Sequence, residues 1–136
     1  MSTILVDNLT GKTSAGDITV TSDGGAVTQS LQQGLAKAWS YTDGRTTNSI
    51  LDSLNYSSLT DHSVGVHTLT VTNAMNNATY SHSTTAGWTT TSLINISTAN
   101  ETTAITTTAT RYSVTYINAS NFDSDQISVT LHGDLA

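Results

Sequence analysis

The chain contains no cysteine and no proline, and only 4 of its 136 residues are Lys or Arg. Without cysteine there is no disulfide framework, no thiolate nucleophile and no zinc knuckle. Four basic side chains cannot line a phosphate-neutralising stripe, so nucleic acid is excluded as a partner. Charged residues of both signs make up 10 % of the chain, against roughly 25 % in ordinary globular proteins. Long apolar runs are missing too. Ile4-Leu5-Val6 is among the longest, whereas a membrane-spanning helix needs about 20 apolar residues, so no membrane insertion is expected. Met1-Ser2-Thr3 offers neither a basic n-region nor an apolar h-region. The expectation is synthesis in a cytoplasm without a secretory signal.

In place of charge the chain has hydroxyls: 28 Thr and 18 Ser among 136 residues. Thr is β-branched and stiff at χ1, so it favours strands, while Ser and Asn favour turns and caps. With 36 % apolar residues and few charges, the composition is that of a folded β protein, not of a charged disordered tail. Val66-His67-Thr68-Leu69-Thr70-Val71-Thr72 alternates strictly, and so do Arg111-Tyr112-Ser113-Val114-Thr115-Tyr116-Ile117 and Gln126-Ile127-Ser128-Val129-Thr130-Leu131. Such alternation predicts antiparallel strands with one face buried.

About eight short strands separated by turn signals predict an all-β fold, an antiparallel β-sandwich or jelly-roll-like domain over residues 39–136. Further strands are expected over 48–54, 56–60, 78–83, 89–96 and 104–117. Thr42-Asp43-Gly44-Arg45 reads as a hairpin turn in which Gly44 supplies a positive φ. Residues 1–38 differ. Ile4-Leu5-Val6 and Asp17-Ile18-Thr19-Val20-Thr21 are short strand candidates. Val27, Leu31, Leu35 and Trp39 then recur at spacing four, which predicts about three helical turns, weakened by Gly34. A helix that short needs packing to persist in water. The first 38 residues are thus expected to be a short β/helical segment that precedes the sandwich.

No residue cluster has the spacing of a catalytic or metal site. His62, His67, His82 and His132 form no His-x-His pair on one strand, although His62 and His67 flank a single turn. No Gly-x-Ser-x-Gly elbow occurs. Asp123 and Asp125 lack the glycine and distal Glu of an EF-hand loop and read as turn carboxylates. No enzyme activity, metal or cofactor is expected. Eight aromatic residues stand in the Thr and Ser background. Exposed Trp and Tyr serve as stacking platforms for sugars, which makes Trp88 and Tyr80 candidate glycan contacts. Trp39, Tyr112 and Tyr116 read as core or subunit-interface residues.

Three stretches carry a family resemblance. Leu31-Gln32-Gln33-Gly34-Leu35-Ala36-Lys37-Ala38-Trp39, then Asp52-Ser53-Leu54-Asn55-Tyr56-Ser57-Ser58-Leu59-Thr60-Asp61, and then Thr70-Val71-Thr72-Asn73-Ala74-Met75 occur in order. Together with the opening Ser2 to Thr10 and Asp17-Ile18-Thr19-Val20, this arrangement resembles tail-fibre-like virion proteins of marine tailed bacteriophages. The likeness covers roughly residues 2–75. It implies a virion structural part, usually homotrimeric, with an N-terminal attachment segment and a β-rich outer domain. On that likeness Ile4, Val6, Val27, Leu31, Leu35 and Trp39 become candidates for contact with other copies or with other virion proteins. A host-surface glycan is a further candidate partner. One departure is the absence of a shaft before the β domain. The alternatives are a capsid decoration (cement or knob) protein that bridges capsid subunits, and a free carbohydrate-binding module.

Overall fold

The structure is a computed structural model that describes residues 3–13, 18–21, 24–25, 27–87, 94–98 (backbone only), 105–116 and 120–136. These form a mostly antiparallel β protein with three sheets and one short helix. The chain divides into two compact units, residues 1–35 and 36–136.

In the first unit, β1 (Thr19–Thr21) and β2 (Thr28–Ser30) pair antiparallel as a two-stranded ribbon. A single helical turn, α1 (Leu31–Gly34), follows. Ser30 caps it, its Oγ accepting from the backbone N–H of Gln33 at 3.4 Å. The expected three-turn helix over 27–39 is not formed. Val27 and Thr28 are β-branched and enter the ribbon region, Gly34 ends the turn, and Ala38 and Trp39 go to a strand of the second unit. A spacing of four is weak against a ladder that offers every backbone group a partner. Among the described residues of this unit none is buried.

The second unit is β-sandwich-like. One sheet has the order β4-β3-β10-β7, from β4 (Ser49–Leu54), β3 (Ala38–Asp43), β10 (Gln126–His132) and β7 (Ser81–Gly87). The other has the order β5-β6-β9-β8, from β5 (Tyr56–Ser63), β6 (Val66–Val71), β9 (Ala109–Tyr116) and β8 (Ile94–Thr98). The pairs β3–β4, β5–β6 and β8–β9 join strands consecutive in the chain, and β10 returns between β3 and β7.

Alternation sets the core. Ile127, Val129 and Leu131 of β10 face inward, as do Leu69 and Val71 of β6, and Tyr112 and Val114 of β9. Most Thr and Ser of the same strands take the other face, where they fit the pleat; Thr110 of β9 is buried, with its Oγ1 2.9 Å from the Tyr80 hydroxyl. On β3 the inward residues are small: Ala38, Ser40 and Thr42 are all buried. Ala38 shares the buried core with three tyrosines, Tyr56, Tyr80 and Tyr112.

Strand β3 itself was not legible in advance, because its first residues lay in the helical pattern and its last in the predicted turn. The turn is real and closes the β3–β4 hairpin, but Gly44 is there for a different reason. The positive φ in this loop belongs to Asn48, at 46°. A Cβ on Gly44 would stand 2.9 Å from Cε1 of the buried His67 ring and 3.2 Å from a methyl of Ile127. The loop is held by Asp43, whose side chain accepts from the backbone N–H groups of Arg45 and Thr46 at 2.8 Å and of Thr47 at 3.3 Å. Slight burial raises the Asp43 pKa, but these donors outweigh it and the net shift is downward.

Candidate functional site

The sequence motifs behind the family resemblance meet at one residue. Asn55 sits between β4 and β5 with φ 62°, a left-handed conformation that Asn adopts more readily than most residues. Its Nδ2 donates to the carbonyl of Lys37 at 3.0 Å and to that of Asn73 at 3.1 Å. Its Oδ1 accepts from the N–H of Asn73 at 2.7 Å, and its backbone oxygen from the N–H of Thr72 at 3.0 Å. Lys37 lies in the first motif, Asn55 in the second and Asn73 in the third. Met75, from the third, is fully buried and donates its N–H to Thr107 at 2.8 Å. Lys37, Asn55 and Asn73 thus tie together three segments of the second unit. They bring together no catalytic group.

The aromatic candidates separate. Trp88 lies outside the described residues. Tyr80 is buried, and its hydroxyl is within 3.0 Å of the Thr106 carbonyl, 3.2 Å of the Ala109 carbonyl and 2.9 Å of Thr110 Oγ1. It clamps the turn that leads into β9, and its ring is not offered to solvent. Tyr112 is fully buried and stacks on His67, ring centroids 5.7 Å apart. Burial pushes its pKa up to about 12. Tyr116 stacks on Phe122 at 4.2 Å. Trp39 is not among the core residues. It lies on the outer face of β3 beside Tyr41, which is 38 % exposed.

The polar candidates are structural as well. His67 is fully buried; among the described residues its ring nitrogens have no side-chain hydrogen-bond partner, and the Gly44 backbone is the polar group beside them. Asp61 Oδ1 is 4.0 Å from its Nε2. Burial pushes its pKa down, against the opposing pull of Asp61 and Asp123. His62, one position from Asp61 and so on the opposite face, pairs with the Thr68 hydroxyl at 2.9 Å. The two histidines that flank the turn do not converge. Among the described residues no group of three or more His, Cys, Asp or Glu is placed to hold a metal ion. Asp123 Oδ1 accepts from the N–H of Gly65 at 2.6 Å, which fixes the β5–β6 turn. Gly65 has φ 72°, and a Cβ there would lie 2.6 Å from the Val114 carbonyl oxygen.

The docking candidates Ile4, Val6, Val27 and Leu35 are exposed, at 83 %, 58 %, 65 % and 55 %, and Leu31 is half-buried. Leu31 and Leu35 line a shallow groove with Val20, Gln29, Ser30 and Gly34.

No family model matches the chain, and no curated protein or solved structure is significantly similar to it.

Proposed function

We propose that the chain is a non-enzymatic phage virion structural protein, tail-fibre-like or head-fibre-like, that assembles as a homotrimer and contributes to attachment to the host surface. The first unit carries this reading. It has 35 residues, and among those described none is buried while Ile4, Leu5, Val6, Leu9, Val20, Val27 and Leu35 are exposed. A two-stranded ribbon of this size has too little core to be stable alone. Its apolar side chains need a covering surface, and in this reading neighbouring copies and other virion proteins provide it. The resemblance of residues 2–75 to tail-fibre-like proteins supports the same assignment.

The second unit is then the outward domain. In a jelly roll, consecutive strands alternate between sheets, whereas three consecutive pairs here are hairpins within one sheet, so we describe it as a sandwich. Three copies on one spike raise the effective concentration of weak contacts without any new contact being made. The protein is made in the host cytoplasm and resides on the virion.

Immunogold labelling of intact particles with antibody to this chain tests the reading. Gold at tails or at head fibres is expected. Gold spread evenly over capsids would replace attachment by capsid decoration, and unlabelled particles would overturn the virion assignment.

A further inference from the structure

The two outer faces of the sandwich differ in kind. On the β5-β6-β9-β8 sheet, the outward residues of the inner strands include Thr68, Thr70, Arg111 and Ser113, with no Trp or Tyr among them; His62 of edge strand β5 lies against the Thr68 hydroxyl. On the β4-β3-β10-β7 sheet, Trp39 and Tyr41 project from one central strand, two residues apart, so their Cα atoms are about 6.6 Å apart along the strand. Strand register places Leu54, Trp39, Thr130 and Ser83 in one row across this sheet. The next row is Asp52, Tyr41, Ser128 and Thr85. Each ring therefore has hydroxyls on its β10 and β7 side.

From this juxtaposition we infer that the outer face of the β4-β3-β10-β7 sheet binds neutral glycans, with Trp39 and Tyr41 as the stacking rings. A pyranose ring presents axial C–H groups to an aromatic face and hydroxyls around its rim. Two rings flanked by Ser and Thr hydroxyls match both, as binding sites combine apolar surface with a few placed polar groups. Asp52 is the one charged group in the two rows. Its Oδ1 accepts from Ser53 N–H at 2.8 Å, and the carboxylate has further acceptor capacity for a sugar hydroxyl. The two rows hold no basic side chain, so they offer an anionic polysaccharide no counter-charge. The rows are hydroxyl-rich rather than apolar, which favours a polyol over a protein partner. This inference deepens the attachment reading and rests on it for the source of the glycan, not for the binding itself.

The test uses the full chain on an array of neutral gluco-, manno- and galacto-oligosaccharides beside sialylated and sulfated ones. Titration with the neutral oligosaccharide of highest signal follows. Retention on neutral glycans is expected. Tyr41→Ala and Trp39→Ala should each weaken binding at least tenfold. Thr85→Arg lays a long side chain across the face from an exposed position and should also cost at least tenfold. It decides the matter if Trp39→Ala does not fold. No retention on neutral glycans, retention on anionic ones alone, or affinities within twofold for Tyr41→Ala and Thr85→Arg would overturn the inference. Gold-labelled particles with no glycan binding would remove the glycan face and leave the virion role. Glycan binding with unlabelled particles would do the reverse.

Discussion

Asn55 ties three chain segments with one side chain and a left-handed backbone. Replacing it by Ala leaves the Lys37 carbonyl and both Asn73 groups without their partner, and removes the polar side chain that lets Asn tolerate a left-handed conformation, which otherwise costs roughly 1–2 kcal/mol. We expect Asn55→Ala to cost about 2–3 kcal/mol, at ~4–8 °C of Tm per kcal/mol for a domain of this size, and Asn55→Gly, which keeps the backbone, to cost less. Thermal melts followed by circular dichroism check the order; equal Tm values for Ala and wild type would contradict it. The two close-approach glycines should also differ. At Gly65 the obstacle is backbone and φ is positive, so Gly65→Ala should yield no folded protein. At Gly44 the obstacles are the His67 ring and an Ile127 methyl, which can shift, so Gly44→Ala should fold with a lowered Tm. His67 adds a pH dependence. Its folded pKa lies below the ordinary 6.5, so below about pH 6.5 the unfolded chain binds more protons than the native one. Stability should therefore fall as pH drops from 7 toward 5, and His67→Leu should flatten that slope in urea melts. An unchanged slope would assign the effect elsewhere. None of these roles was legible in the sequence. The motif around Asn55 could be seen, but its chemistry depends on Lys37 and Asn73, each 18 residues away, and the burial of His67 depends on the loop at Gly44.

At the scale of elements, strict alternation marked β6, β9 and β10 in advance, because a half-buried strand writes its two faces into alternate residues. Strand β3 was hidden. Its inward residues are Ala38, Ser40 and Thr42 and its outward ones include Trp39 and Tyr41, an inversion of the usual apolar-in pattern. Tyr56 and Tyr112 of the partner sheet share the core with Ala38, and they lie outside any local window. The same inversion put Trp39, expected in a core or a docking helix, on an outer sheet face. The first unit shows the converse: its apolar residues were visible, but their spacing suggested a helix where the backbone forms a ribbon and one turn. Because the sandwich core and its hydrogen-bond ladders lie within residues 36–136, deletion of residues 1–35 should leave a cooperatively melting domain. A loss of cooperative melting in that deletion would contradict the division.

At the scale of the whole molecule, low charge and abundant hydroxyl groups take on a structural meaning. Thr and Ser supply much of the polarity of the outer strand faces of the sandwich with few fixed charges, while Ile4, Leu5, Val6, Leu9, Val20, Val27 and Leu35 are exposed in the first unit and Leu51, Leu54, Val64 and Leu135 in the second. In the proposed reading, partners cover the first unit and the second meets solvent and polar ligands. Self-association through residues 1–35 is the claim on which the attachment reading depends. Native mass spectrometry of the full chain beside the 36–136 deletion tests it most directly. A species of three times 14.3 kDa for the full chain and a monomer for the deletion are predicted, whereas a monomeric full chain at micromolar concentration would contradict it.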